Sequence, residues 1–342
     1  MTPNQPISRR TVLRRTGALA GVGAVAASGI TGSVVATDGV QDVDITLAST
    51  FEPGHILVEA AEMFAERMEE ETDGAFSTDV VPGGAYGAED EIADQVAGGV
   101  VEMHSGGGLP FSMFTPEYYF YDTPFVVEDL DHFERLWESE EFEPAFEQLI
   151  QDGNQRNLGT FIYRGLRQFT SNVPVQHPDD VQGMNLRLPE LEPWVEIWSE
   201  IGADPTPVAL DELYSALQTG VAEASEGDAE QIHSFNLFEV QDHLSLTEHM
   251  VQTGNIYINE EFYQGLDDET QNLVDEVADE VTAEASQQAE DREEDLIDDL
   301  EAEGMEVVDD VDRDAFFDAA EPAVDQLFEE RWEGTWDEWL DV

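Results

Sequence analysis

The sequence predicts an α/β protein of two lobes, each a mainly parallel β-sheet flanked by helices, with a long acidic helix near the C-terminus. Three observations support this fold class. The chain has 342 residues, which is more than one hydrophobic core usually supports. Segments of period-two hydrophobicity alternate with helical segments along residues 43–104, which is typical of a parallel sheet covered by helices. Residues 267–303 form one very acidic segment whose apolar residues recur at helical spacing.

Residues 1–36 are predicted to be an export leader. Residues 8–14 (SRRTVLR) resemble a twin-arginine signal, and an apolar run rich in glycine and alanine follows. This run is only weakly hydrophobic, which favours a leader over a permanent membrane anchor, although retention as an anchor stays an alternative. The chain has no cysteine, so disulfides, thiolate metal sites and a lipid-anchored cysteine are excluded.

The first lobe is predicted to span mainly residues 40–157. Its elements are expected in the order strand 43–48, helix to about 71, strand 76–81, helix 89–97 and strand 100–104. The glycines at 106–108 follow the third strand, where glycine permits either close approach of the backbone to a ligand or a plain flexible turn. Residues 111–127 are rich in aromatic side chains, which we expect to be mostly core, with one or two rings on a cleft wall.

The second lobe is predicted to span mainly residues 158–259. It contains Arg167 and Arg187, each at the end of a short β-like run. Its further elements are expected to be helix 190–201, helix 212–219 and a strand at 221–225. Residues 260–342 are predicted to form C-terminal helices.

The composition is strongly acidic, with 78 Asp and Glu residues against 13 arginines, no lysine and a net charge of −65. Such charge is typical either of disorder or of a folded protein from a very salty medium. The hydrophobic share of 41% is sufficient for a core, which favours the folded, halophilic alternative. At ~1 M salt the Debye length is ~3 Å, so surface carboxylates hardly repel one another. A nucleic-acid partner is not expected, because the chain has no basic patch.

No motif in the sequence indicates catalysis. The chain lacks a GxSxG nucleophile turn and an HExxH zinc motif, its seven histidines are scattered, and no acidic stretch forms a calcium loop. We therefore predict no catalytic residue, no metal site and no cofactor. A secreted enzyme that processes carboxylates with an unrecognised pair of acids stays an alternative.

Arg167 and Arg187 stand out because cations are scarce in this chain. From the residues alone, an arginine among many acids is most often a salt-bridge partner. The alternative is that one or both hold the acid group of a small ligand. A planar guanidinium suits this role because it donates two parallel hydrogen bonds to a carboxylate and keeps its charge.

Four segments around these arginines occur in an order and at a spacing that indicate a family. They are residues 165–172 (GLRQFTSN), 178–190 (PDDVQGMNLRLPE), 201–207 (IGADPTP) and 212–221 (ELYSALQTGV). Together they resemble the solute-binding proteins of tripartite ATP-independent periplasmic (TRAP) transporters, and weaker similarity extends from about 43 to about 308. The resemblance implies a two-lobed, periplasmic-binding-protein-like fold whose C-terminal helices pack across the lobes. It also implies capture of a small organic acid outside the cytoplasm, for uptake through TRAP membrane subunits driven by an ion gradient.

The resemblance also implies roles for individual residues. Arg187 is the expected bidentate clamp on the ligand carboxylate, and Arg167 is an expected second contact. The family often has Gln-Glu-Asn-Pro where residues 225–228 are SEGD. Glu226 and Gly227 are therefore candidate contacts, although Gly227 has no amide to donate, so a backbone N–H or a water would replace it.

Leu210 and Tyr214 are candidate cleft walls by position, and both are equally compatible with a core position. Phe114, from the aromatic segment, is a further candidate for the cleft wall. A receptor domain that senses a ligand for a signalling system is an alternative within binding proteins. Association with the membrane is expected through the transporter or through an uncleaved leader. The identity of the acid stays open among C4-dicarboxylates, sialic acid, sugar acids, keto acids and lactate-like compounds.

Overall fold

The structure, a computed structural model, describes residues 43–340 and 342. The predicted leader at 1–36 lies outside the described residues. Within them the chain forms eleven strands, numbered in chain order: β1 Val43–Ala48, β2 Phe76–Val81, β3 Met103–Gly106, β4 Gln155–Leu166, β5 Gln168–Ser171, β6 Asn185–Leu188, β7 Asp204–Pro207, β8 Ala224–Gly227, β9 His243–Ser245, β10 Val251–Asn259 and β11 Glu306–Val308.

The same part of the chain forms twelve α-helices. They are α1 Ile56–Glu71, α2 Glu89–Ala97, α3 Leu109–Phe114, α4 Leu130–Trp137, α5 Glu143–Gly153, α6 Glu192–Ile201, α7 Leu213–Thr219, α8 Ala229–Ser234, α9 Glu260–Gln264, α10 Asp268–Glu303, α11 Arg313–Glu330 and α12 Trp336–Leu340. None of the described helices combines the length and the apolar character needed to span a bilayer.

The strands form two mixed sheets, one in each lobe. The first has the order β2-β1-β3-β10-β4, and the second has the order β11-β9-β5-β8-β6-β7. In the first sheet β1 runs parallel to β2 and β3, whereas β10 is antiparallel to β3 and β4. In the second sheet β5 is antiparallel to both of its neighbours. The predicted two-lobed α/β fold is confirmed, with sheets that are mixed rather than mainly parallel.

The chain crosses between the two sheets at positions that differ from the predicted lobe boundaries. Residues 158–166 belong to β4 and residues 251–259 form β10, and both strands lie in the first sheet, although the sequence places 158–259 mainly in the second lobe. The reason is that β4 and β10 pair with each other along most of their length, and such long-range pairing leaves no mark on local periodicity. The chain passes from the first sheet to the second at Arg167, between β4 and β5, and it returns between β9 and β10.

The first-lobe elements follow the hydrophobic pattern closely. β1, β2 and α2 have the predicted bounds, and β1 buries Val43, Ile45 and Leu47 on alternate positions. The third strand begins later than predicted, at Met103 rather than Val100, because a turn precedes it and Val100 is exposed. Gly106 is therefore the last residue of β3 and not the start of a separate loop.

The long acidic helix is present as predicted. The Asp267 side chain caps its N-terminus by accepting from Thr270 N, and Gly304 ends it with a φ of +115°. Its apolar stripe, including Val274, Val277 and Val281, is buried against the outer face of β4. The acidic residues occupy the remaining faces.

The aromatic segment at 111–127 is mainly core, as predicted. Tyr119, Phe120 and Tyr121 are buried, and the Phe120 ring packs against Phe328 of α11 and Trp339 of α12. Helix α11 also contacts α6 of the second lobe. The C-terminal helices therefore touch elements of both lobes.

Candidate binding site

A cleft of about 440 Å³ lies between the two sheets. This volume is in the range typical of small-molecule sites. The first-lobe wall is formed by Phe51, Ala88, Glu89, Asp90, Gly107, Gly108, Leu109, Tyr119 and Asp122. The second-lobe wall is formed by Arg187, Pro189, Glu190, Leu191, Trp194, Val208, Ala209, Leu210 and Gln231. The floor is formed by Arg164 of β4, Gln252 of β10 and Arg167, which directly follows β4.

Arg187 lies on the second-lobe wall because of strand alternation. In β6 the side chains of Leu186 and Leu188 are fully buried in the hydrophobic core, so Arg187 between them points to the opposite face of the sheet, toward the cleft. Its Nε donates to the carbonyl of Val208 at 2.9 Å. Among the described residues no carboxylate pairs with this guanidinium, and its two Nη groups have no hydrogen-bond partner.

The charge of Arg187 is retained despite its burial. Only 2% of the residue is exposed, and this burial lowers its pKa to about 10. The side chain is therefore a cation at neutral pH, and its terminal nitrogens face an open cleft. A carboxylate placed there would accept two parallel hydrogen bonds from them.

Arg167 also faces the cleft, but the protein already binds most of its guanidinium. Its Nε and Nη2 donate to the two carboxylate oxygens of Glu226, the latter at 2.7 Å, and Nη1 donates to Gln252 Oε1. The guanidinium also lies over the Trp194 ring, with Cζ 5.0 Å from the ring centroid. Arg167 sits where the chain crosses between the lobes, and its N–H donates to Met250 O.

Glu226 is a fully buried counterion behind Arg167. Burial alone would raise its pKa, but the charge of Arg167 and hydrogen bonds from Arg167 and His249 lower it to about 2. The His249 Nε2 lies 3.3 Å from Glu226 Oε2, and its Nδ1 lies 2.7 Å from the Thr247 hydroxyl. This arrangement fixes the position of Arg167 at the cleft floor.

Arg164 is a third cleft arginine that the sequence reasoning missed. Its Nη2 donates to Asp228 at 3.1 Å, and its guanidinium lies over Phe51. Its Nε is buried and has no hydrogen-bond partner. The signal in the sequence is the spacing: two arginines stand three residues apart in a chain with few cations.

The first-lobe wall contains two carboxyl groups that the sequence reasoning also missed. Glu89 Oε1 accepts from Gly107 N at 2.6 Å. Asp122 accepts from the Tyr119 hydroxyl at 3.2 Å and from the Gln252 amide at 3.4 Å. Burial raises the pKa of both carboxyl groups, that of Asp122 to about 7. Glu89 opens α2, so in the sequence it is indistinguishable from an ordinary acidic residue of a first helical turn.

The structure brings three of the seven predicted site residues to the cleft surface: Arg187, Arg167 and Leu210. Glu226 lies behind Arg167. Tyr214 packs at the edge of a cluster of buried apolar residues that includes Leu217 and Leu237, and its hydroxyl donates to Glu239 at 2.6 Å. Phe114 packs against Gly153, away from the cleft.

Gly227, the fourth predicted residue outside the cleft surface, is buried in β8. A Cβ at Gly227 would lie 2.6 Å from Gln231 Nε2. Gln231 itself lines the cleft. An amide is therefore present near this position, supplied from the first turn of α8 rather than from residue 227.

The described residues contain no cluster of His, Asp and Glu arranged to hold a metal ion. His104, in β3 behind the first-lobe wall, is fully buried, and burial lowers its pKa to about 3. It is therefore a neutral imidazole. The chemistry that the cleft offers is that of fixed hydrogen-bond donors and acceptors.

Comparison with known proteins gives a consistent assignment. Residues 47–331 match the family model of bacterial extracellular solute-binding protein, family 7. A solute-binding protein of Roseobacter denitrificans is 32% identical over 281 residues, which cover 80% of this chain and 86% of the relative. The sialic acid-binding periplasmic protein of Vibrio cholerae is 28% identical over 225 residues, which cover 66% of this chain and 70% of that protein.

A solved structure extends this similarity to three dimensions. It is a TRAP periplasmic solute-binding protein from Roseobacter denitrificans with bound L-galactonate. It has a TM-score of 0.77 and 28% identity, covering 89% of this chain and 100% of the other. The family model spans both sheets and the cleft between them. The chain therefore belongs to family 7 of the bacterial extracellular solute-binding proteins.

Proposed function

We propose that the protein captures a small organic acid outside the cytoplasm and delivers it to the membrane subunits of a TRAP transporter. The observation that supports this function is Arg187, a buried cation that faces the cleft and lacks a carboxylate partner among the described residues. A buried charge without a counterion is costly. A ligand carboxylate that accepts two hydrogen bonds from the Nη groups would offset that cost.

The names of relatives support the same ligand class. They include the C4-dicarboxylate-binding protein of Vibrio cholerae and the 2,3-diketo-L-gulonate-binding protein of Escherichia coli. The ligands in these names and in that of the sialic acid-binding relative each contain at least one carboxylate. The shared requirement is the group that Arg187 fits.

Arg167 and Gln231 are proposed as secondary contacts. Arg167 contributes positive charge to the floor, but Glu226 already occupies two of its nitrogens. Gln231 places an amide beside Gly227, which is the functional group that the family resemblance leads us to expect there. Both contacts should matter less for affinity than Arg187 does.

Substitution of Arg187 tests the proposal. We expect Arg187→Ala to weaken binding of the preferred acid roughly 100-fold or more, because truncation leaves the ligand carboxylate desolvated and unpaired. Arg187→Lys should lose about tenfold, since it keeps the charge but not the fork. Binding would be measured by calorimetry in about 1 M KCl, with L-galactonate, sialic acid and succinate as probes.

The matched control is Arg135→Lys, because Arg135 is exposed and contacts the carbonyl of Val342. This variant should bind as the wild type does, and all variants should keep the wild-type melting temperature without ligand to within a few degrees. Unchanged affinity in Arg187→Ala would overturn the proposal. Turnover of a probe acid by the purified protein would favour an enzyme instead.

The composition and the predicted leader support a proposal about the salt concentration in which the protein works and the route by which it is exported. Net charge of −65, with 13 arginines and no lysine, supports a protein that works in concentrated salt. The residues at 8–14 support export by the twin-arginine route. Removal of the leader, or its retention as an anchor, would be distinguished by the N-terminal sequence of the natively purified protein.

A further inference from the structure

The glycines at 106–108, at the end of β3 and just after it, leave room for two carboxyl groups against the backbone at the first-lobe wall. A Cβ at Gly106 would collide with His104 and lie 2.9 Å from Glu89 Oε1. A Cβ at Gly108 would lie 2.7 Å from Asp122 Oδ2. Real Cβ atoms do not approach other atoms so closely, so these carboxyl positions require glycine. The run is therefore not a plain flexible turn, and Gly107 and Gly108 also line the cleft.

The two carboxyl groups are fixed, yet they keep acceptor capacity. Glu89 Oε1 is held by Gly107 N, while its Oε2 makes no hydrogen bond with any described residue. Asp122 is 5% exposed and is held by Tyr119 and Gln252. Both groups line the cleft. Glu89 and Asp122 accept hydrogen bonds without donating any when they are ionised. Burial raises the pKa of Asp122 to about 7, so the wall is fully complementary to hydrogen-bond donors above that pH.

The cations of the cleft provide one carboxylate clamp rather than two. The fork of Arg167 is occupied by Glu226. Arg164 is engaged with Asp228 through Nη2 and its Nε is fully buried, so its Nη1 is left for a single contact and the guanidinium offers no two-pronged clamp. Arg187 alone among these three leaves both Nη groups free toward the cleft. Above the Asp122 pKa of about 7, a second ligand carboxylate that approached Glu89 and Asp122 would be repelled.

We infer that the preferred ligand is a polyhydroxylated monocarboxylate, whose acid group binds Arg187 while its hydroxyl groups donate to Glu89 and Asp122 on the opposite wall. This inference rests on the proposed function. Hydroxyl groups fit better than an ammonium group, because Arg164 and Arg167 lie on the same cleft floor and Asp122 already accepts two donors. The argument concerns the chemical class and not the configuration of the individual carbon atoms.

A panel of six-carbon acids tests the inference directly. The panel contains gluconate, L-galactonate and glucuronate as hydroxylated acids, hexanoate without donors, adipate with a second carboxylate, and ε-aminohexanoate with an ammonium group. Affinities would be measured by calorimetry in about 1 M KCl. We expect the best hydroxylated acid to bind at least tenfold more tightly than the other three acids, since each hydrogen bond to a charged group contributes about tenfold or more. Equal or tighter binding of adipate, hexanoate or ε-aminohexanoate would overturn the inference.

Two isosteric variants test which side chains accept hydrogen bonds from the hydroxyl groups of the ligand. Glu89→Gln and Asp122→Asn should each weaken the best hydroxylated acid about tenfold and leave the weak binding of hexanoate unchanged. The matched control is Glu71→Gln, an exposed carboxylate at the end of α1, which should change neither. Melting temperatures without ligand would show that each variant folds.

The outcomes separate this inference from the proposed function. If Arg187→Ala abolishes binding while Glu89→Gln and Asp122→Asn have no effect, the protein binds acids but the hydroxyl contacts are wrong. If Arg187→Ala has no effect, the proposed function itself fails. If substitutions on both walls weaken binding but adipate is the best ligand, the assigned ligand class is wrong.

Discussion

The three arginines of the cleft differ in how much of each guanidinium the protein already binds. Arg167 holds Glu226 with two nitrogens and Gln252 with the third. Arg164 holds Asp228, whereas Arg187 donates only its Nε, to a backbone carbonyl. We therefore expect Arg187 to contribute more than the other two arginines to the free energy of binding a ligand anion. Burial strengthens the attraction between Arg187 and such an anion, because the local dielectric is low.

The raised pKa of Asp122 predicts a pH dependence of stability. The pKa is about 7 in the folded protein and ~3.9 in an unfolded chain. The folded state therefore retains a proton that the unfolded state has lost, so stability falls as pH rises from about 4 to about 7. Asn carries no such proton. We expect Asp122→Asn to gain stability relative to the wild type across this window, by up to about 4 kcal/mol.

Thermal unfolding of both proteins between about pH 4 and pH 8 would measure this difference. Glu71→Gln serves as the control for the removal of one negative charge from an exposed position. A flat difference for Asp122→Asn would contradict the assigned environment of Asp122. The same variant is expected to bind hydroxylated acids less well, so stability and affinity should change in opposite directions.

The sequence reveals some of these residues and hides others. Arg187 and Arg167 are visible because few cations exist in the chain and because the surrounding segments resemble a family. Arg164 is marked only by its spacing of three residues from Arg167. Glu89 and Asp122 are not visible, since an acid in the first turn of a helix or at the end of a 3-10 helix has an ordinary local context. Their importance comes from contacts between distant segments, such as that between Gly108 and Asp122.

At the scale of elements, β4 lies in the first sheet, leads directly into the second sheet and packs against α10. It pairs with β10 along the first sheet and packs against α10 on its outer face. Gly159 interrupts β4 with a φ of +65°, beside a shift in the β4–β10 register. The Thr282 hydroxyl contacts the backbone of this bulge at Thr160. The bulge lets α10 approach the strand closely.

This contact predicts the effect of a single methyl group. A Cβ at Gly159 would lie 2.7 Å from the Ala278 carbonyl oxygen and 2.6 Å from Thr282 Oγ1. We expect Gly159→Ala to lower the free energy of unfolding by roughly 2–4 kcal/mol, from backbone strain and from overpacking. Denaturant unfolding in high salt would measure the loss.

Gly183→Ala is the control for the backbone term alone. Gly183 has a φ of +70°, but a Cβ there would meet nothing within 4 Å. This variant should lose only about 1 kcal/mol, the contribution of strain without a clash. Equal losses in the two variants would show that the close approach of α10 to β4 does not matter for stability.

Local periodicity predicts which elements exist more reliably than it predicts where they pair. The bounds of β1, β2, α2 and α10 follow directly from alternation, helical spacing and capping residues. The membership of β4 and β10 in the first sheet depends on partners almost a hundred residues away in the chain. For that reason the predicted lobe boundary near residue 158 differs from the crossing at Arg167.

At the scale of the whole molecule, net charge dominates the response to the solvent. The chain has a net charge of −65, and the acidic side chains of α10 lie mainly on its exposed faces. We expect the free energy of unfolding to rise by about 2 kcal/mol or more between roughly 0.1 M and 1 M KCl, because screening reduces repulsion among surface carboxylates.

Sucrose at matched osmolality is the comparison for this experiment, since it promotes compaction without screening charge. Stabilisation by KCl should exceed that by sucrose. If KCl stabilises the protein no more than sucrose does, repulsion among surface carboxylates does not limit stability. The inference of a salty habitat then loses its support. The overall fold and the family are predictable at this scale because many separate segments agree.

The hydrogen bonds along the cleft floor join the two walls. Glu226 of the second sheet binds Arg167, which binds Gln252, and that amide donates to Asp122 of the first lobe. A ligand held at both walls and resting on this floor must break contacts on two lobes before it leaves. Residence time, more than the rate of encounter, should then distinguish a well-matched acid from a poorly matched one.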